Sequence, residues 1–181
     1  MGVTLSSQGV FFATQDYIGL WRRLLMSTVD IVVVLVGSVL VSVIPVALLS
    51  ADRAPAAFLV ILGITAFTYL VVLKRSGIRT LGYRLFGARI VSLSGETPSL
   101  LQMTERMLFA FFGPFYYLID LLWLSGDDDR QSIRDKWAAT YVVRHDAKPK
   151  GTGTIVAVYY YGLLGVNVVF WEVRRPSSLS N

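Results

Sequence analysis

Cysteine is missing from this chain, and histidine occurs once, at His145. The first absence excludes a disulfide framework, a thiolate metal site and a cysteine nucleophile. The second removes the histidine pairs on which many metal centres are built, so His145, beside Asp146, reads as a surface residue. Charge is scarce as well: Asp, Glu, Lys and Arg make up 16% of the residues, against about 25% in an average soluble domain. No Lys or Arg occurs in the first twenty positions, and the apolar run that follows is too long for a signal-peptide core, so no cleavable leader is expected. No Ser/His/Asp arrangement or zinc-type spacing stands out. Gly151-Thr152-Gly153 lacks the strand-to-helix context of a phosphate-binding loop and reads as a linker. An enzyme is not expected, and neither is a cofactor or a bound metal.

What is abundant is apolar side chain. Hydrophobic residues make up 54% of the 181 positions, and the mean hydropathy of +0.58 lies well above that of soluble domains. This is the composition of an integral membrane protein. The net charge of +5 and pI near 9.6 come from basic residues that flank the apolar runs. That pattern suits anionic lipid headgroups and the positive-inside rule better than nucleic acid.

The chain is organised around Trp21 to Leu49, an apolar run with Arg23 at its entrance and Asp30 inside it. Seven residues are almost two helical turns, so Arg23 and Asp30 share a face about 10 Å apart along the axis. Ser27 lies between them, and the polar or small stripe continues through Gly37, Ser38 and Ser42. The other faces carry Leu25, Val29, Ile31, Val32, Val36 and Val39 and suit lipid. A carboxylate at the centre of a spanning helix costs about 2.5–3.5 kcal/mol, so Asp30 needs a partner. Arg23 is expected to snorkel to the interface, which leaves a cation or backbone donor on another element.

In order, residues 1 to 16 read as a loose tail, a first spanning helix runs from about Tyr17 to Leu49 with Pro45 near its far end, and Ser50 to Ala56 form a tight turn. A second spanning helix covers about Ala56 to Leu73 and stops at Lys74 and Arg75. Arg53 in the turn is then the one basic residue outside, which places the amino terminus in the cytoplasm. The third apolar stretch, Met107 to Leu124, is long enough for one span. A straight span would, however, carry the basic residues from Arg130 to Lys150 outward. Gly113-Pro114 permits instead a bent or re-entrant pair, from a Ser99 N-cap to Phe112 and from Phe115 to Leu124, that returns to the cytoplasmic side. Glu105-Arg106 reads as an anchor at the membrane surface.

After a polar loop at Asp127 to Asp129, a short helix is expected around Ser132 to Ala138. Strands are expected at Gly87 to Leu93, Thr140 to Arg144, Thr154 to Tyr161 and Val166 to Arg174, the last two joined by a turn at Gly162 to Gly165 and all four forming one small sheet. The alternative for 154–171 is a further transmembrane helix. Trp21, Trp123, Trp137 and Trp171 fall at the proposed membrane edges.

Three blocks share one pattern: Arg-x6-Asp at Arg23 and Asp30, T-L-G-Y-R-L-F-G-A-R-I-V from Thr80 to Val91, and R-Q-S-I-R-D-K-W-A-A-T-Y-V-V from Arg130 to Val143. Together they resemble the RDD family of bacterial membrane proteins. The resemblance implies a transmembrane RDD domain at 17–144 and leaves 145–181 as an extension, a β-hairpin or an added helix. It implies Arg23, Asp30 and Asp135 as the signature residues, with Asp120 the weaker choice for the last, and no established general function, although transport of unknown ligands and cation/proton antiport have been attributed to members. Two departures stand out. Leu81 and Tyr83 replace the usual proline and lysine of T-P-G-K-R, and Arg134 stands where many members have histidine.

The expected fold is mainly α: an integral membrane protein with two spanning helices, a bent or re-entrant third hydrophobic element and a small cytoplasmic β-rich C-terminal segment. Asp30 and Asp120 are the carboxylates inside apolar runs. Facing one cavity they would share a proton or a monovalent cation; held apart, each locks helix packing. Arg106, Arg23, or the Tyr116 and Tyr117 hydroxyls are the expected partners of Asp120. The segment carrying Thr80, Gly82, Arg84, Gly87 and Arg89 is expected to meet lipid phosphates or Asp135, with Arg84 the partner of Asp135. Arg130 and Gln131 support that end. The functional expectation is a non-enzymatic scaffold or accessory subunit of a bacterial cytoplasmic (inner) membrane assembly, multi-pass and in contact with anionic headgroups, as a homo-oligomer or within a larger complex. The alternative is a transporter component.

Overall fold

The computed structural model describes residues 4–161 and 167–176. Among them two helices are long and apolar enough to cross a membrane, Leu20–Ala47 and Ala54–Leu73. The first, α1 (Leu20–Ala47), is 28 residues, about 42 Å at 1.5 Å per residue. Its inward stripe is Arg23, Met26, Asp30, Val34, Ser38 and Ser42, at the three- and four-residue spacing of one helical face. Ile31, Val32, Val36 and Val39 on the remaining faces stay exposed. Pro45 lies in the last turn, and the helix ends two residues later.

A tight turn, with Arg53 N–H donating to Ser50 C=O at 3.0 Å, leads into α2 (Ala54–Phe67), which has a proline in its first turn. The helix then widens into six π-helical residues, Thr68–Leu73, with Lys74 N–H bonded to Tyr69 C=O. That i to i+5 register brings residues five apart nearly into line, so Tyr69 and Lys74 face the same neighbour. Only 6% of the most apolar window of α2 is buried. Its surface is therefore open to lipid or to another chain.

The short helix α3 (Leu81–Leu85) packs on α1 and feeds strand β2 (Ala88–Ser92). Helix α4 (Leu100–Leu108) starts at a capping box in which Ser99 and Gln102 satisfy each other's backbone N–H groups. A 3-10 turn, Phe109–Phe112, and Gly113 at φ +84° separate it from α5 (Gly113–Ser125). The arms, about 14 and 20 Å long, each fall short of a bilayer core of about 30 Å. Both meet the same short helix, α6 (Ile133–Trp137): Gln102 of α4 donates to the Ala138 and Ala139 carbonyls that close it, and Asp120 of α5 pairs with its Arg134. The third element therefore folds back on itself.

The strands form two sheets rather than one. β2 pairs antiparallel with β3 (Thr140–Arg144). A three-stranded antiparallel sheet has the order β1-β4-β5, from β1 (Thr4–Phe11), β4 (Gly151–Tyr161) and β5 (Asn167–Arg174). The C-terminal segment is thus β-rich, and the added transmembrane helix is overturned by the β4–β5 ladder; the turn expected at Gly162 to Gly165 lies outside the described residues. The loose amino-terminal tail is also corrected, because residues 4–11 are an edge strand on β4. The Gly151-Thr152-Gly153 linker is instead the start of β4. A Cβ at Gly153 would stand 2.3 Å from the Arg174 carbonyl oxygen, so only glycine lets the strands approach there. Phe11, Phe12, Tyr17, Leu93, Tyr141 and Val173 fill one core between the sheets, and Trp171 packs against it. Val10 N–H to Leu93 C=O (2.7 Å) and Ile18 N–H to Val142 C=O (3.0 Å) tie this body to the entrance of α1.

Candidate functional site

The inward stripe of α1 delivers two charges to its sheet-side end: Asp30 meets a cation and backbone donor on other elements, as the sequence suggests, whereas Arg23 does not behave as expected. Asp30 is 1% exposed and accepts from four donors. Its Oδ1 accepts from Gly82 N–H at 2.9 Å and the Tyr69 hydroxyl at 3.3 Å; its Oδ2 accepts from the Thr80 hydroxyl at 2.9 Å and lies 3.1 Å from Lys74 Nζ. Tyr69 Oη in turn accepts from Leu81 N–H at 2.8 Å. One carboxylate thus ties α1 to the end of α2 and to the first turn of α3. Gly82 makes this possible, because a Cβ there would lie 2.3 Å from the Met26 carbonyl oxygen and 2.7 Å from Asp30 Oδ1.

Arg23 neither snorkels nor reaches Asp30. It is 2% exposed, with Nε donating to Ile18 C=O at 3.0 Å and Nη2 to Arg130 C=O at 2.6 Å, and Nη1 paired with Asp135 Oδ2. All three guanidinium nitrogens are thus committed to groups of Ile18, Arg130 and Asp135, which hold the side chain inward although Trp21 and Arg22 beside it are exposed. Asp135 is wholly buried, accepts from Ser132 N–H at 3.1 Å, and pairs through Oδ1 with Arg106, which also donates to Thr140 Oγ1. Burial alone would push its carboxyl up, but Arg106 and Arg23 more than offset that and hold it well below the usual carboxylate range. The expected Arg84–Asp135 pair does not form: Arg84 is exposed, and two arginines from α1 and α4 occupy the carboxylate. Arg106 is consequently a buried clamp, not a surface anchor.

Asp120, also 1% exposed, accepts from Arg134 N–H at 2.9 Å, and its Oδ2 lies 3.0 Å from Arg134 Nε. Its counter-charge is therefore none of the expected partners. Asp30 and Asp120 have no partner in common, which argues against one shared cavity. Among the described residues no three His, Cys, Asp or Glu side chains are grouped to hold a metal ion. Below Asp30, the Ser38 and Ser42 hydroxyls donate to the Val34 and Val39 carbonyls of their own helix, at 2.7 and 2.9 Å. No hydrogen bond joins Ser27 to Arg23 or Asp30 among the described residues.

The RDD family model matches residues 17–139. The chain belongs to the RDD family. No curated protein and no solved structure matches it. The matched span of this RDD domain holds all three buried aspartates and their four cations, whereas β1, β4 and β5 lie outside it. Arg134, where this chain departs from the family's usual histidine, is the counter-charge of Asp120. Arg130 and Gln131 complete the end of the domain: Arg130 Nη1 reaches Tyr17 C=O at 3.4 Å, and buried Gln131 donates Nε2–H to Thr140 C=O at 3.0 Å.

Three participants escape a reading of the RDD sequence. Lys74 looks like a stop signal at a helix end, and only the π register turns it toward Asp30. Tyr69 carries no signal apart from its hydroxyl in an apolar run. Lys136 sits in the expected short helix with nothing to mark it as buried, yet it is 6% exposed and lies 2.5 Å from both Asp127 Oδ2 and Glu172 Oε1. Burial opposes its charge, but the two carboxylates outweigh that and raise its pKa. Through it the family domain grips β5.

Proposed function

We propose that this protein is a non-enzymatic scaffold or accessory subunit embedded in the bacterial cytoplasmic membrane. α1 and α2 span the bilayer, and the α4–α5 hairpin enters and leaves on the cytoplasmic side. The amino terminus and both sheets are cytoplasmic, an orientation that keeps every Lys and Arg except Arg53 on that side. The observation that carries the reading is the complete commitment of Asp30, whose two oxygens meet Thr80, Gly82, Tyr69 and Lys74. A carboxylate that exchanges a cation or proton needs a free position or a yielding partner, and this one is built as a three-element joint. The open surface of α2, with Leu59, Val60 and Ile64 more than 60% or close to 60% exposed, supports contact with lipid, a second copy or another membrane subunit.

The test is proton-coupled Na⁺ and K⁺ flux in vesicles containing the purified protein at verified folded incorporation. The expected result is flux no greater than in protein-free vesicles. Saturable coupled flux would overturn the scaffold reading and restore cation antiport.

A further inference from the structure

Where α2 ends, a cavity of about 180 Å³ opens between that end, β2 and the turn after it. Lys74, Arg75, Arg79 and Arg89 line it, facing one carboxylate, that of Glu96. Lys74 is committed to Asp30, but no carboxylate among the described residues is in ion-pair range of Arg75, Arg79 or Arg89. This sets the cavity apart from the rest of the molecule, where the buried cations are matched by aspartates.

The guanidinium groups of Arg79 and Arg89 are held rather than loose. Arg79 Nη1 donates to Ala88 C=O at 3.2 Å, and Arg89 Nη2 donates to Ala147 C=O at 2.8 Å. In both residues Nε is buried and meets no acceptor among the described residues. Arg79 also has φ +60°, a left-handed backbone that a branched-free arginine adopts only at some cost, here in the service of its place on the wall.

We propose that this cavity binds a phosphate group, carried either by a lipid headgroup or by a soluble phosphate ester. Three unpaired arginines against one glutamate leave a surplus of two positive charges, which suits a phosphate, and the planar guanidinium fork matches phosphate oxygens better than it does a spherical anion. Its place beside the last turn of an apolar helix puts it at headgroup level. The lipid source rests on the membrane-embedded reading given above; the soluble source does not.

The experiment uses the full chain purified in an uncharged detergent and titrated separately with inorganic phosphate and with dioctanoyl phosphatidic acid, binding being read by the shift of thermal unfolding. Arg75→Gln removes a side chain with no hydrogen bond among the described residues, so the variant should fold. It is expected to weaken binding by about tenfold or more. Arg84→Gln removes an exposed charge outside the cavity and should leave binding unchanged, and Glu96→Gln should tighten it, a gain that misfolding cannot imitate. Competition between the two probes would show that both present their phosphate to one site; a response to the lipid alone would assign a headgroup, and to inorganic phosphate alone a soluble ester. A folded wild type that responds saturably to neither, or an Arg75→Gln variant that binds as wild type or loses no more than Arg84→Gln, would overturn the site. The flux result for the scaffold reading is independent of all these outcomes.

Discussion

Asp135→Asn is expected to leave little or no folded protein, because it strips the counter-charge from two arginines at once. Arg23 and Arg106 are 2% and 8% exposed, approach the carboxylate from α1 and α4, and among the described residues have no other carboxylate in ion-pair range. Removing one partner of a buried pair costs about 3–5 kcal/mol, against a total stability of about 5–15 kcal/mol, and here two cations are stranded. Arg106→Gln, which leaves Asp135 paired with Arg23, should cost less. The check is the folded fraction by size-exclusion chromatography in detergent, followed by thermal unfolding of whatever survives. Since the folded carboxyl is held below its unfolded value, its contribution is fully present above about pH 4 and fades only as pH falls below that. Wild type should therefore keep this joint at pH 5, and acid unfolding that begins well above pH 4 must have another cause.

The second large effect is predicted for Gly82→Ala, a change of one methyl group. The added carbon would lie 2.3 Å from the Met26 carbonyl oxygen, which belongs to the backbone of α1 and cannot swing aside. Relief requires α3 to move off α1, which breaks the 2.9 Å bond from Gly82 N–H to Asp30. Overpacking of this kind costs about 1–3 kcal/mol, and losing a hydrogen bond to a charged group about 1.5–3 kcal/mol more. Gly87→Ala serves as the comparison. No atom stands within 4 Å of its Cβ, so only the φ of +60° opposes the change. The expected order of melting temperature is wild type, then Gly87→Ala, then Gly82→Ala well below both.

How far the sequence carries depends on the distance over which each feature is decided. The two long apolar helices follow from composition alone, and the Ser99 cap and the break at Gly113 follow from local chemistry. That Asp30 needs a partner on another element follows from the cost of burying a charge. Which partner it has does not follow, because Lys74 reads as a stop at a helix end, and the π register that leads into it leaves no periodic mark in T-Y-L-V-V-L. The basic segment after α2 suggests Arg84 as the partner of Asp135, whereas two arginines from distant helices converge on it. β1 was missed for a similar reason: T-L-S-S-Q-G-V-F lacks clean alternation, and the strand exists because β4, some 140 positions later, offers it an edge.

If buried Asp30 is a structural joint, removing its charge must cost stability. The measurement that tests it most directly is the thermal unfolding of Asp30→Asn beside wild type, in the same uncharged detergent. The amide can still accept from Gly82 N–H, and the Thr80 hydroxyl can reverse, but Lys74 loses its counter-charge. The expected result is a clearly lower melting temperature, equivalent to about 1.5–3 kcal/mol. A variant that melts with wild type would contradict it and return Asp30 to the list of groups free to carry an ion.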